Sequence, residues 1–289
     1  ILISTSQQKF KKGRKAVMRI LRYELWENVP GTVHTRPYLV RYVPDTPKTV
    51  GCILILPGSG YCNSPSRAPQ EGDRVARYLC GKGIPVFVLE YRVFPDIYPF
   101  PILDGRRAVR YIRYKSDEFG INREKIAVMG YSSGGHLAAS LSCYLEKIEY
   151  ENLDGVDRES FIPNLQILCY PVISLDPENA YTHAGSVKNL LAERYQELKD
   201  CLSPEKSGEK EIPPAFIWHN FDDSSVSVLN SFRYAESLLK KKVSVEMHIF
   251  PEGDHGIGFP VEDRKDYNHD RQWMELMLRW LVYQNFWEG

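Results

Sequence analysis

The sequence has no surplus of charge: 37 basic side chains balance 37 acidic ones over 289 residues. Affinity for nucleic acid rests on neutralising phosphates, so this balance gives no electrostatic reason to expect such a partner. Long apolar runs are also missing. Cys52–Leu56 and Val86–Leu89 fall far short of the roughly 20 residues a bilayer needs, so no membrane partner is expected. No apolar core follows the basic stretch Lys9–Lys15, so no secretory leader is read there. There is no Cys-x-x-Cys pair. The six cysteines (52, 62, 80, 143, 169, 201) are scattered, several within strand-like runs, which predicts buried free thiols and a reducing, cytoplasmic setting. Phosphate-loop, dinucleotide-binding and His-Glu-x-x-His patterns are absent too, so no cofactor and no metal are expected.

What is present is the composition of a folded protein, 43% hydrophobic and 26% charged. Residues 1–17 lack apolar periodicity and read as a tail; residues 18–289 read as one domain. From Ile20 the chain alternates. Strands are predicted at Ile20–Trp26, Tyr38–Val43, Gly51–Leu56, Ile84–Glu90, Ile126–Met129, Leu165–Tyr170, Ala215–Trp218 and Val243–Phe250. Helices are predicted at Ala68–Gly81, Leu103–Phe119, His136–Leu145, Val228–Leu239 and Trp273–Phe286. Continuous apolar strands between helices predict an α/β fold, with a mainly parallel central sheet covered on both faces. Residues 174–213 break the rhythm. They carry one helical stretch, Ser186–Leu198, and read as a small cap-like insertion over the carboxyl edge of the sheet.

Gly130-Tyr131-Ser132-Ser133-Gly134 is a Gly-x-Ser-x-Gly between a predicted strand and a predicted helix. A serine on that turn needs small residues two before and two after it, so that strand and helix can approach. Ser132 has Gly130 and Gly134; Ser133 has Tyr131 two before it. Ser132 is therefore the candidate nucleophile. A serine hydroxyl needs a base, and the base needs an orienting carboxylate. The carboxylate should follow a later strand, where Asp222 and Asp223 compete and spacing does not choose. The histidine should follow the next strand, on the loop that holds His255 between Gly253 and Gly256. His34, His136, His219, His248 and His269 read as packed or solvated side chains, while His183, in the insertion, is a candidate for the pocket wall. The oxyanion would be met by the N–H of Ser133 and by the loop Pro57–Tyr61, with Ser59 and Gly60 as donors. Tyr61 and His183 are candidate substrate-binding residues. Phe94, Tyr98, Tyr181 and Phe259 are further aromatic candidates for a sugar platform.

At these residues the sequence resembles the esterase/lipase branch of the α/β-hydrolases, and within it the acetylxylan esterase-like carbohydrate esterases of bacteria. The matching stretches are ILPGSGY (55–61), QEGDRVA (70–76), PVFVLEYRV (85–93), FGINREKIAVMGYSSGGHLAAS (119–140), LCYPVIS (168–174), PPAFIWHNFDD (213–223) and IFPEGDHGIG (249–258). The family places its acid four residues after the histidine of the Trp-His stretch, which on this chain is Asp223. Its loop reads Pro-Gly-Gly-Gly-Tyr, where this chain has Ser59. The resemblance implies an α/β-hydrolase fold and a serine carboxylesterase working through Ser132, His255 and Asp223. The expected substrate is a small acyl ester, acetyl first, of an alcohol such as a sugar. An amide hydrolase on the same fold and a non-catalytic binding protein are the rival readings. A homo-oligomer is compatible with the sequence.

Overall fold

All five residues of β3 (Cys52–Leu56) are buried, which is what a continuous apolar run produces in a sheet covered on both faces. Alternate side chains leave this strand on opposite sides. Leu54 and Leu56 join one core and Ile53 and Ile55 the other. The computed structural model describes residues 18–62, 69–144, 146–150, 153–209, 211–256, 258–259 and 272–289. The expectations for residues 1–17 and for His269 fall outside these residues.

The strands are β1 (Arg19–Glu24), β2 (Tyr38–Val43), β3, β4 (Val86–Glu90), β5 (Ile126–Tyr131), β6 (Leu165–Cys169), β7 (Ala215–Asn220) and β8 (Val245–Phe250). They form one eight-stranded sheet in the order β1-β2-β4-β3-β5-β6-β7-β8. β1 and β2 pair antiparallel, as do β2 and β4; every other pair is parallel. The α-helices are α1 (Arg74–Gly81), α2 (Phe100–Tyr114), α3 (Ser116–Phe119), α4 (Ser133–Cys143), α5 (Ala184–Leu191), α6 (Tyr195–Leu198), α7 (Leu229–Lys240) and α8 (Trp273–Tyr283). Side chains of α2, α4 and α7 share a core with Leu54, Leu56, Phe87 and Leu89. Those of α1 and α8 share the opposite core with Ile53, Ile55, Val86 and Val88.

Three helical stretches differ from expectation. The one predicted at Leu103–Phe119 is α2 and α3, parted by a turn at Lys115. The one predicted at Ser186–Leu198 is two helices, α5 and α6, joined by a tighter turn at Ala192–Arg194. Ala192 has φ 47°, outside the right-handed helical region, so one helix cannot pass through it. In the stretch predicted at Ala68–Gly81, whose first residue lies outside the described residues, a single wide π turn, Pro69–Asp73, precedes α1. Such turns displace side chains from the regular helical face and recur at functional sites.

Candidate active site

Ser132 stands between the end of β5 and the start of α4, at φ 52° and ψ −119°. That backbone is strained for a residue with a Cβ, and strain of this kind persists only where the surroundings enforce it. Here they do. A Cβ at Gly130 would overlap the Gly134 carbonyl, and one at Gly134 would overlap the Leu56 carbonyl, so strand and helix can meet only through glycines. The Ser132 hydroxyl faces a cavity of about 310 Å³. The neighbouring Ser133 hydroxyl faces the loop after β3, where it accepts the N–H groups of Ser59 (3.1 Å) and Tyr61 (3.2 Å).

His255 lies 2.8 Å from Ser132 Oγ through Nε2 and 2.6 Å from Asp223 Oδ2 through Nδ1. The carboxylate can only accept, so Nδ1 carries the proton and Nε2 is left to accept from the serine. Asp223 is the buried member of the aspartate pair. Its Oδ1 accepts the N–H groups of Ser225 and Val226, both at 2.9 Å. His219 Nε2 stands 3.3 Å from its Oδ2. Burial pushes the Asp223 pKa up; bonds from His219 and His255 outweigh it and hold the carboxyl well below the usual range. Asp222 points elsewhere and accepts the Gly253 N–H at 2.8 Å. His219 is a satisfied sheet residue, as expected: Nε2 also donates to the Val226 carbonyl and Nδ1 meets Ser231 Oγ.

The backbone of the loop after β3 can be accounted for group by group. Gly58 N–H goes to Glu71 Oε2 at 2.6 Å. The Pro57 carbonyl accepts from Tyr91 and the Ser59 carbonyl from the Cys62 N–H. The Gly60 carbonyl accepts from Asn189 Nδ2 at 2.8 Å. Gly60 N–H is left without a partner among the described residues. Ser133 N–H opens α4, where no carbonyl lies one turn back to receive it. Gly60 and Ser133 thus supply the unspent donors. The expectation that Ser59 N–H is a third is corrected, because that proton is committed to Ser133 Oγ.

The Tyr61 side chain is corrected as well. Its ring is fully buried, and its hydroxyl meets His136 Nδ1 at 2.7 Å. His136 Nε2–H donates to the Leu202 carbonyl, so Nδ1 is an acceptor and Tyr61 the donor. Tyr61 therefore fills core beneath the loop and cannot reach a substrate. His183 does line the cavity, together with Gln70, Glu71 and Ser225. It caps α5: its Nδ1 accepts the Ser186 N–H at 3.2 Å, which leaves the ring proton on Nε2. Burial, and next the nearby His255, lower its pKa, so the ring stays neutral. Phe94, Tyr98, Tyr181 and Phe259 do not line this cavity. Tyr98 meets Tyr144, and Phe259 packs on Tyr78. The expected aromatic platform is replaced by polar walls.

Asn189, Glu71 and Tyr170 bear on the site without having been singled out in the sequence. No motif marks Asn189; Glu71 and Tyr170 lie within the resembling stretches QEGDRVA and LCYPVIS, which give them no role. Among the described residues, no three His, Cys, Asp or Glu side chains gather as a metal ion requires. None of the described helices is long and apolar enough to cross a membrane.

The BD-FAE family model matches residues 41–238. The endo-1,4-beta-xylanase B of Butyrivibrio fibrisolvens is 35% identical over 226 residues, 76% of this chain and 34% of that protein. The acetylxylan esterase of Xylanibacter ruminicola is 31% identical over 228 residues, 76% of this chain and 44% of that protein. The chain thus spans less than half the length of these curated relatives. Among solved structures, an acetyl ester-xyloside bifunctional hydrolase from Caldicellulosiruptor lactoaceticus is 38% identical, with a TM-score of 0.83 over 93% of this chain and 97% of that one. MGS-M1, an alpha/beta hydrolase enzyme from a deep-sea metagenome, is 25% identical with a TM-score of 0.68. With the strand order, the serine turn and matches that cover most of its length, the chain belongs to the BD-FAE family and has the α/β-hydrolase fold.

Proposed function

We propose that the protein is a serine carboxylesterase that removes short acyl groups, acetyl first, from hydroxylated alcohols such as sugars. The observation that carries this is the unbroken chain Ser132 Oγ–His255 Nε2 and His255 Nδ1–Asp223 Oδ2, at 2.8 and 2.6 Å. Ser132 Oγ attacks the acyl carbon as its proton passes to Nε2. The carbonyl oxygen, now an alkoxide, sits between the N–H groups of Gly60 and Ser133. Each such donor typically contributes about 10²–10³ in rate. The imidazolium then gives its proton to the leaving alcohol oxygen as the acyl–oxygen bond breaks. Asp223 keeps the proton on Nδ1 throughout and stabilises the imidazolium. Water repeats the sequence on the acyl-enzyme and frees Ser132.

The substrate reading rests on the cavity and the relatives. About 310 Å³ lies at the small end for ligand pockets. Its walls offer the polar side chains of Gln70, His183 and Ser225, which suit hydroxyl groups better than a fatty chain. One relative is named an acetylxylan esterase, and one similar structure an acetyl ester-xyloside hydrolase. All six cysteines are free thiols, which supports a reducing, cytoplasmic setting. The test is fluorophosphonate labelling followed by a screen of acetylated oligosaccharides against aryl acyl esters. Stoichiometric label on Ser132 and turnover of the acetylated sugars is the expected result; no label on Ser132 removes the mechanism.

A further inference from the structure

One buried carboxylate in the cavity has no part in the reaction just described. Glu71 is 7% exposed, and both its oxygens are acceptors. Oε2 receives the Gly58 N–H at 2.6 Å; Oε1 receives the Tyr170 hydroxyl at 2.9 Å. The Tyr170 oxygen in turn accepts the Gly258 N–H at 3.0 Å, three residues beyond His255. The Tyr170 ring meets the His255 ring edge to face, centroids 4.8 Å apart. Gly258 also leans on the same side chain: a Cβ there would stand 3.0 Å from Glu71 Cγ. Tyr170 is held at φ 37°, a strained backbone for a bulky residue.

We propose that Glu71 is a positioning residue that ties the oxyanion loop to the histidine loop. One oxygen fixes the peptide at Gly58, two residues before the Gly60 donor. The other fixes Tyr170, which holds the histidine loop through Gly258 and braces the His255 ring. Burying a polar carboxyl costs free energy, and an apolar side chain of the same length would fill the volume without that penalty. What an apolar chain cannot do is accept from two separate loops at once. Catalysis needs that junction, because a 1 Å misplacement of donor or base can cost about 10²-fold.

The inference rests on Ser132 and His255 acting as proposed above, and the experiment separates the two. Wild type, Glu71→Gln, Tyr170→Phe and the double variant are titrated with a fluorophosphonate. Turnover of p-nitrophenyl acetate is then expressed per labelled site. Glu71→Gln keeps shape and one acceptor but turns the other end into a donor. Tyr170→Phe keeps the ring on His255 and removes only the hydroxyl junction. The expected result is a loss of about tenfold in kcat per labelled site in each, with KM within twofold. The double variant should be little worse than the poorer single, because both cut the same link. A residue that only held the fold would lower the number of labelled sites and leave kcat per site unchanged. That outcome, or single losses that multiply fully in the double, overturns the assignment of Glu71. If Glu71→Gln does not fold, Tyr170→Phe decides alone by the same criterion. Absence of label on wild-type Ser132 overturns the esterase reading and this one with it.

Discussion

Asn189 reaches from the connection between β6 and β7 to the Gly60 carbonyl, closing a 2.8 Å hydrogen bond over 129 residues of sequence. The peptide that follows the free Gly60 N–H is thereby held at both ends, by Asn189 at its oxygen and by Ser133 Oγ at its nitrogen. Asn189→Ala frees one end. The expected outcome is a loss of about tenfold in kcat/KM for p-nitrophenyl acetate, read mostly in kcat, since a slack oxyanion donor acts on the transition state. Equal activity in the variant would show that Ser133 alone is a sufficient anchor.

Ser132→Ala and Ser133→Ala should differ in kind. Loss of the nucleophile should lower ester hydrolysis on the order of 10⁴-fold or more. Loss of the Ser133 hydroxyl leaves its N–H in place and removes two loop bonds, so about 10- to 100-fold is expected. Steady-state rates of the two purified variants check this; a dead Ser133→Ala with an active Ser132→Ala would reverse the roles.

The two adjacent aspartates give a sharper contrast. Asp223→Asn should cost on the order of 10⁴ in kcat, because an amide permits the wrong His255 tautomer. Asp222→Asn keeps an acceptor for the Gly253 N–H and should cost no more than about threefold. Comparable losses at both positions would contradict the bonding described.

Acid should weaken the fold partly through His136. Burial lowers its pKa to about 4. The unfolded chain, with an ordinary imidazole near 6.5, binds that proton first. Stability from this residue is therefore complete above about pH 6.5 and is lost as pH falls toward about 4, on the order of 3 kcal/mol in all. Urea midpoints between pH 7 and 4.5 should fall, and less steeply in His136→Gln. A variant with the same slope as wild type would rule His136 out as the cause.

Acyl chain length should be read steeply. Each methylene that does not fit a small cavity loses burial and adds strain. Activity toward p-nitrophenyl esters is expected to fall from acetyl through butyryl to octanoyl. An optimum at about eight carbons or longer would contradict a short-acyl esterase.

The serine turn was legible because its requirement is local: small residues two before and two after Ser132, between an apolar strand and a helix. His255 was legible through chain order. Asp223 was not separable from Asp222 by spacing; the resemblance pointed to Asp223 through its distance from His219, and in the structure two backbone N–H groups and His219 hold it. Tyr61 misled for the opposite reason. Its aromatic ring next to a glycine loop suggests a substrate platform, yet nothing in a sequence says which way a ring turns. Glu71 lies in the resembling stretch QEGDRVA, yet its tie to Tyr170, 99 residues away, was illegible, as was that of Asn189 to Gly60, 129 residues away. Side chains whose role is to join distant loops leave no periodic trace.

His183 has two unrelated roles: its Nδ1 caps α5, and its side chain lines the cavity. Folding of that helix therefore decides the hydrogen-bond polarity of a wall several residues away. The two roles also separate: asparagine at this position keeps a cap for α5 and removes the imidazole from the cavity wall. A single codon can thus redraw what the cavity recognises without disturbing the frame that holds it, and a directed-evolution library for new alcohols would begin at this position.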